Sequence, residues 1–205
     1  MDPHELINLQ IHLEYQLDES GLLVPFNHGS EQAYYVVYQH LQGYKVYFNH
    51  ELPSNLRAQL SQLGASAAFE RPEKVRQCIT DANLPCKGGE DIFWSGYFSQ
   101  PPTLVDYPDV SHYEVAWSVY RDDQEVCRAL SIRQNERCAE VYVESLPAYR
   151  RRGFGRQVVA AWALEIMDSD RVALYSYRLK NLASAALASS LGVIWYANVV
   201  TFDPG

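Results

Sequence analysis

Four arginines, Arg150, Arg151, Arg152 and Arg156, fall within one heptad and bracket two glycines, Gly153 and Gly155, in the string VYVESLPAYRRRGFGRQVV. An apolar strand-like run and a proline come before the glycines, and an amphipathic pattern comes after, so the pair sits where a helix begins. The first four N–H groups of a helix have no internal partner, and the aligned peptides place about half a positive charge there. Glycines let phosphate oxygens approach that backbone, and arginines add charge-assisted contacts. The chemistry this predicts is capture of a pyrophosphate by main-chain donors from Arg151 to Arg156. Two other phosphate motifs are excluded. No GxxxxGK[ST] string occurs, and GxGxxG fails because the residue three after Gly155 is Val158.

The elements that must position this turn are legible around it. Tyr113 to Arg121 alternates, a DDQ turn follows, Glu125 to Arg133 runs back, and Cys138 to Ser145 makes a third strand of an antiparallel meander. From Gly153 to Met167 the period becomes helical, with Val159, Trp162, Ala163, Ile166 and Met167 on one face. Val172 to Tyr177 reads as a strand, and a second helix starts near Asn181 and ends at Gly192. Val193 to Phe202 supplies the last strand. The order β-β-β-α-β-α-β predicts an α/β (α+β) fold, a mixed, mostly antiparallel twisted sheet with flanking helices.

The first half reads as an α/β extension. Tyr34 to Tyr38 and Tyr44 to Phe48 form a hairpin about Gly43. Pro53 opens a helix stopped by Gly64, and Pro72 opens another carrying Val75, Cys78 and Ile79. An aromatic strand spans residues 92–98. The connector PPTLVDYPDVS, with its three prolines, marks the expected boundary between residues 1–110 and residues 111–205.

On AEVYVESLPAYRRRGFGRQVVAAWA and YSYRLKNLASAALASSLGV, the sequence resembles the GNAT superfamily of acetyl-CoA-dependent N-acetyltransferases over about residues 113–200. Arg150, Gly153 and Gly155 fill the family's [QR]xxGx[GA]. Asn181, Ser184, Leu191 and Gly192 fill N-x-x-[AS]…L-G-F, with Val193 in the aromatic position. The resemblance implies that the strand at Val143, Glu144 and Ser145 splays from its neighbour and offers its backbone to the pantetheine arm of coenzyme A. It implies a pyrophosphate over Arg151, Arg152, Gly153, Phe154, Gly155 and Arg156, with Asn181 and Ser184 touching the cofactor from the next helix.

The reaction so implied is direct attack of a primary amine (a small molecule, an amino acid or a peptide N-terminus) on the acetyl thioester, with no metal. The amine must lose a proton, and Glu140, which lies near the start of the central strand, is the expected general base, with Glu144 the alternative. A strand N–H would polarise the carbonyl. The family tyrosine that protonates the leaving thiolate is replaced by Ala188. Tyr177 is the candidate general acid, with Tyr175, Ser184 and Tyr196 nearby in sequence, or the thiolate leaves unaided, its free pKa being about 8.5. The lost tyrosine motivates a second expectation, a coenzyme A sensor or scaffold without turnover.

The remaining composition narrows the partners. With 17 Lys plus Arg against 25 Asp plus Glu, the net charge is −8, a surface that repels nucleic acid and anionic lipid outside the arginine turn. No apolar run approaches the roughly 20 residues of a membrane span, and the acidic N-terminus does not read as a leader. A cytoplasmic protein, monomeric or homodimeric, without nucleic-acid or membrane partners, is expected. Cys78, Cys86, Cys127 and Cys138 lack metal spacing and read as free thiols, and the six histidines form no cluster. Phe93, Trp94, Tyr97 and Trp117 read as core.

Overall fold

The computed structural model describes residues 1–24, 32–103, 110–113 and 115–205; the connector's residues 104–109 lie outside them. The first half holds α1 (Pro3–Glu14), β1 (Gln16–Leu17), β2 (Leu23–Val24), β3 (Tyr35–His40), β4 (Gly43–Phe48), α2 (Ser54–Leu63), α3 (Ala67–Glu70), α4 (Pro72–Asp81), β5 (Cys86–Gly88) and β6 (Phe93–Tyr97). The second half holds β7 (Val110–Tyr113), β8 (Ala116–Arg121), β9 (Gln124–Gln134), β10 (Cys138–Ser145), α5 (Phe154–Asp168), β11 (Val172–Arg178), α6 (Leu182–Ser190) and β12 (Ile194–Pro204).

The chain forms two compact units, one of Met1–Ser95 with Tyr196–Gly205, the other of Gly96–Trp195. This division differs from the expected boundary near residue 110. The chain joins the second unit ahead of the prolines, where the Phe98 N–H donates to the Ala173 carbonyl at 3.0 Å. Its last strand returns to the first unit to pair with β3 from Asn198↔Gln39 to Phe202↔Tyr35.

In the first unit, β3 also pairs antiparallel with β4, and β5 pairs with β12. The hairpin turn is Leu41–Gln42, and Gly43 opens β4 instead of forming the turn. The core gathers Tyr35, Val37, Leu56, Leu60, Val75, Ile79, Val200 and Phe202. Helix α1 is not anticipated above, because Leu9, Ile11 and Leu13 alternate like a strand; yet Leu6, Ile7, Leu9, Ile11 and Leu13 are all buried on it. Its start is written in Asp2, whose carboxylate accepts from the His4 N–H, and in Pro3 at the first turn.

In the second unit the strand order is β11-β10-β9-β8-β7, antiparallel except for β10 beside β11. The meander therefore begins one strand earlier than expected: residues 110–113 pair back on β8 as a separate strand. Helix α5 buries Val158, Val159, Trp162, Ala163 and Ile166. Trp162 Nε1 donates to Ser131 Oγ at 3.0 Å and Trp117 Nε1 to Glu165 Oε2 at 2.6 Å, which fixes α5 against β8 and β9.

Candidate active site

Strand β10 carries the site because its two edges differ. Along β9 it is paired from Ala139↔Gln134 to Ser145↔Cys127, with a bulge after Glu140. Along β11 the parallel ladder covers only Cys138↔Val172, Ala139↔Ala173 and Glu140↔Leu174, although both strands continue beyond it. Residues 141–145 thus have no ladder on the β11 side. The Leu146 N–H donates to the Val126 carbonyl at 3.0 Å, and N–H direction alternates along a strand. The N–H groups of Val143 and Ser145 therefore point away from β9, towards the side that β11 has left.

The strand ends in a turn built from backbone strain and arginine contacts. Residues Pro147–Tyr149 form one 3-10 turn. Arg151 has φ 59° and Gly153 φ 84°, both left-handed. A Cβ at Gly153 would meet nothing within 4 Å, so conformation and not space requires the glycine there. Gly153 caps α5 without a side-chain acceptor, and no acidic residue stands in the first turn. The first intrahelical bond at this end is Gln157 N–H to Gly153 carbonyl, 3.2 Å. The N–H groups of Phe154, Gly155 and Arg156 precede it and remain as donors for an anion.

Around this turn the side chains divide in role. Arg150 Nε donates to the Ser145 carbonyl at 3.2 Å. The Arg152 guanidinium stacks on the Tyr149 ring at 5.0 Å and the Arg121 guanidinium on Phe154 at 4.9 Å. Arg151 and Arg156 are exposed. Ser145 Oγ lies 3.0 Å from the buried Cys127 Sγ, whose pKa is raised by burial. Glu144 is exposed and pairs with Arg128 at 3.1 Å.

Glu140 is the only buried carboxylate among the described residues, 2% exposed. Its Oε2 accepts from Arg133 Nη1 at 2.8 Å and its Oε1 accepts from Ser176 Oγ. Both partners escaped the sequence reading. Only the register of β9 and β11 against β10 brings this cation and this hydroxyl onto the carboxylate.

The other expected residues fall elsewhere. On β11, Ser176 shares a face with Glu140, whereas Tyr175 and Tyr177 alternate to the opposite face. Tyr175 meets Ser184 of α6 through hydroxyls 2.8 Å apart, and burial raises the pKa of both tyrosines. Glu140 and Tyr177 are therefore on opposite faces of the sheet. Asn181 caps α6 by accepting the Ser184 N–H at 3.1 Å. Tyr196 belongs to the first unit, where its hydroxyl donates to Gln10. Ala188 is buried, 1% exposed. Among the described residues no group of three His, Cys, Asp or Glu could hold a metal ion, and no helix is long and apolar enough to cross a membrane.

Residues 103–201 match the family model described as GNAT acetyltransferase. No curated protein matches the chain. Among solved structures, the fold is similar to an acetyltransferase from the GNAT family from Colwellia psychrerythraea, at 9% identity and TM-score 0.51, over 78% of this chain and 76% of that one. It is also similar to a GNAT-family protein from Novosphingobium aromaticivorans DSM 12444, at 15% identity and TM-score 0.51, over 58% and 67%. A Drosophila protein aligns at 11% identity and TM-score 0.55, over 99% and 88%. At these identities the likeness is one of fold.

Proposed function

Residues 103–201 belong to the GNAT superfamily of acetyltransferases, and from that premise we propose that the chain transfers an acetyl group from acetyl-CoA to a primary amine. The observation that carries the reading is the single stretch in which the edge of β10 is released after Glu140 and runs straight into the left-handed turn and the uncapped start of α5. Coenzyme A needs both parts, since it is an amide-bearing arm attached to a pyrophosphate. When bound, acetyl-CoA supplies an activated acyl group as a thioester.

Val143 and Ser145 would offer their outward N–H groups to the arm and to the acyl carbonyl, which one of these strand donors would polarise. Phe154, Gly155 and Arg156 would receive the pyrophosphate on their N–H groups, with the exposed Arg151 and Arg156 adding charge. Arg152 is held on Tyr149 and Arg150 on Ser145, which shapes the turn. Glu140 is the group to which the amine loses its proton. Asn181 caps α6 and Ser184 of that helix bonds the Tyr175 hydroxyl, and from there both would touch the cofactor.

A second reading, coenzyme A binding without turnover, is favoured by two features. Alanine stands where the family carries a tyrosine, and both Glu140 oxygens are already bonded. Titration calorimetry with acetyl-CoA tests the shared part: micromolar binding is expected, and Gly155→Glu should abolish it. A thiol-release assay with a panel of amines then separates the two. Release of coenzyme A by the wild type and its loss in Glu140→Gln, with binding intact, supports transfer; binding without release supports the second reading.

A further inference from the structure

We propose that Ser176 is the residue that touches the acceptor amine and relays its proton to Glu140; this rests on the acetyl-transfer reading above. The Glu140 side chain is only 3% exposed. Arg133 occupies its Oε2, and Ser176 Oγ donates to its Oε1. Each oxygen keeps a second lone pair, but at this burial a substrate nitrogen has no open approach to the carboxylate except past the groups that cover it. Ser176, by contrast, is half-buried. It stands two positions beyond Leu174, the last residue of β11 laddered to β10, so it lies where the two strands have parted. Its face is that of Glu140. Of the groups that bond to Glu140, Arg133 brings donors only, and no proton can be delivered to it. The serine hydroxyl brings one donor and two acceptor lone pairs.

The transfer balances as follows. An ammonium hydrogen-bonded to Ser176 Oγ passes a proton to that oxygen as the hydroxyl proton of Ser176 moves to Glu140 Oε1. The freed nitrogen lone pair forms the C–N bond to the acyl carbon. The C–S bond breaks, and sulfur leaves with its electron pair. A second proton from nitrogen neutralises the thiolate, and Glu140 returns the first proton to solvent through Ser176. Arg133 holds the carboxylate so that Oε1 stays on Ser176, which makes Arg133 a positioning residue.

Ser176→Ala removes the relay without adding volume, and Ser176→Thr keeps a hydroxyl on a β-branched side chain suited to a strand. Acetyl-CoA affinity by calorimetry and the thermal midpoint are measured beside kinetics. The expected result is a drop in kcat of roughly 10- to 100-fold in Ser176→Ala, below the full general-base effect because water can stand in. Partial recovery in Ser176→Thr and little change in acetyl-CoA affinity should accompany it. In Ser176→Ala, kcat/KM should rise with pH in step with the free-amine fraction, whereas the wild type should retain activity below that limb. Ser176→Ala and Glu140→Gln together should cost no more than the worse single change, as expected of groups acting as a unit. Wild-type kcat and pH dependence in Ser176→Ala overturn the relay alone. Loss of acetyl-CoA affinity or folding in proportion to kcat overturns it in favour of a structural bond. A wild type that binds acetyl-CoA and acetylates no amine overturns both the relay and the transfer reading.

Discussion

Arg150 Nε donates to the main-chain carbonyl of Ser145 at 3.2 Å, so the residue that opens the arginine turn is tied to the last residue of β10. The released strand edge and the anion-binding turn are thereby held as one surface. Arg150 spends its guanidinium on geometry. Arg150→Ala is expected to weaken acetyl-CoA binding about 3- to 10-fold, the equivalent of one partly exposed hydrogen bond of about 1 kcal/mol. The thermal midpoint should hardly move. Calorimetry on the two proteins checks this, and an unchanged affinity would assign the bond no part in the site.

Gly153 and Gly155 serve different needs, and alanine at each position separates them. At Gly153 a Cβ meets nothing, but φ is 84°, so Gly153→Ala should destabilise by about 1–2 kcal/mol through backbone strain. At Gly155 a Cβ would stand 3.5 Å from Leu187, 3.9 Å from Ser145 Oγ and 4.0 Å from Val143 Cγ2, ordinary contacts. Gly155→Ala should therefore leave the urea midpoint unchanged or slightly raised while it weakens acetyl-CoA binding. Chemical denaturation and calorimetry on both variants give the two readouts; equal stability losses would refute the distinction.

Much of this was legible in the chain, for identifiable reasons. Strand β10 was read with its observed ends, and α5, β11 and α6 within a residue or two, because their apolar periods are long and Gly153, Asn181 and Gly192 punctuate them. The turn chemistry of α5 was readable because glycine and arginine report backbone and charge directly. Helix α1 was not, since the alternation of Leu9, Ile11 and Leu13 masks the exposed helical stripe of His4, Asn8 and His12. The partners Arg133 and Ser176 were hidden for another reason. They come from strands on either side of Glu140, and only the register across three strands brings them together.

Asn181 accepts the Ser184 N–H at 3.1 Å as the cap of α6, and its side chain is exposed at that helix start. Capping and cofactor contact would use the same residue, and charge tells them apart. Asn181→Asp keeps the cap and suits the helix dipole, whereas Asn181→Ala removes the cap at a cost of about 1 kcal/mol. If Asn181 also faces coenzyme A, Asn181→Asp should be as stable as the wild type yet bind acetyl-CoA several-fold more weakly at low salt. Unaltered binding in Asn181→Asp would leave the residue only its capping role.

Alkaline pH should loosen the first unit through its buried phenols. Burial pushes Tyr35 and Tyr47 from 10.0 up to about 12, and raises Tyr38 well above its ordinary range. The folded state thus holds phenolic protons that the unfolded chain releases near pH 10. The stabilisation is complete below that pH and is lost as pH climbs towards about 12. The urea midpoint should be flat from about pH 7 to 8, begin to fall near pH 9 as the Cys86 and Cys138 thiols, pushed by burial from 9.0 to about 11, add the same sign, and fall steeply beyond about pH 10. Tyr35→Phe keeps the ring that stacks on Phe48 at 4.9 Å and removes one titrating group. Its stability should fall less steeply above pH 10, by at most about 1.4 kcal/mol per pH unit for one proton. Denaturation curves of the two proteins across this range check the sign. Identical slopes would mean that the Tyr35 phenol ionises alike in the folded and unfolded chains.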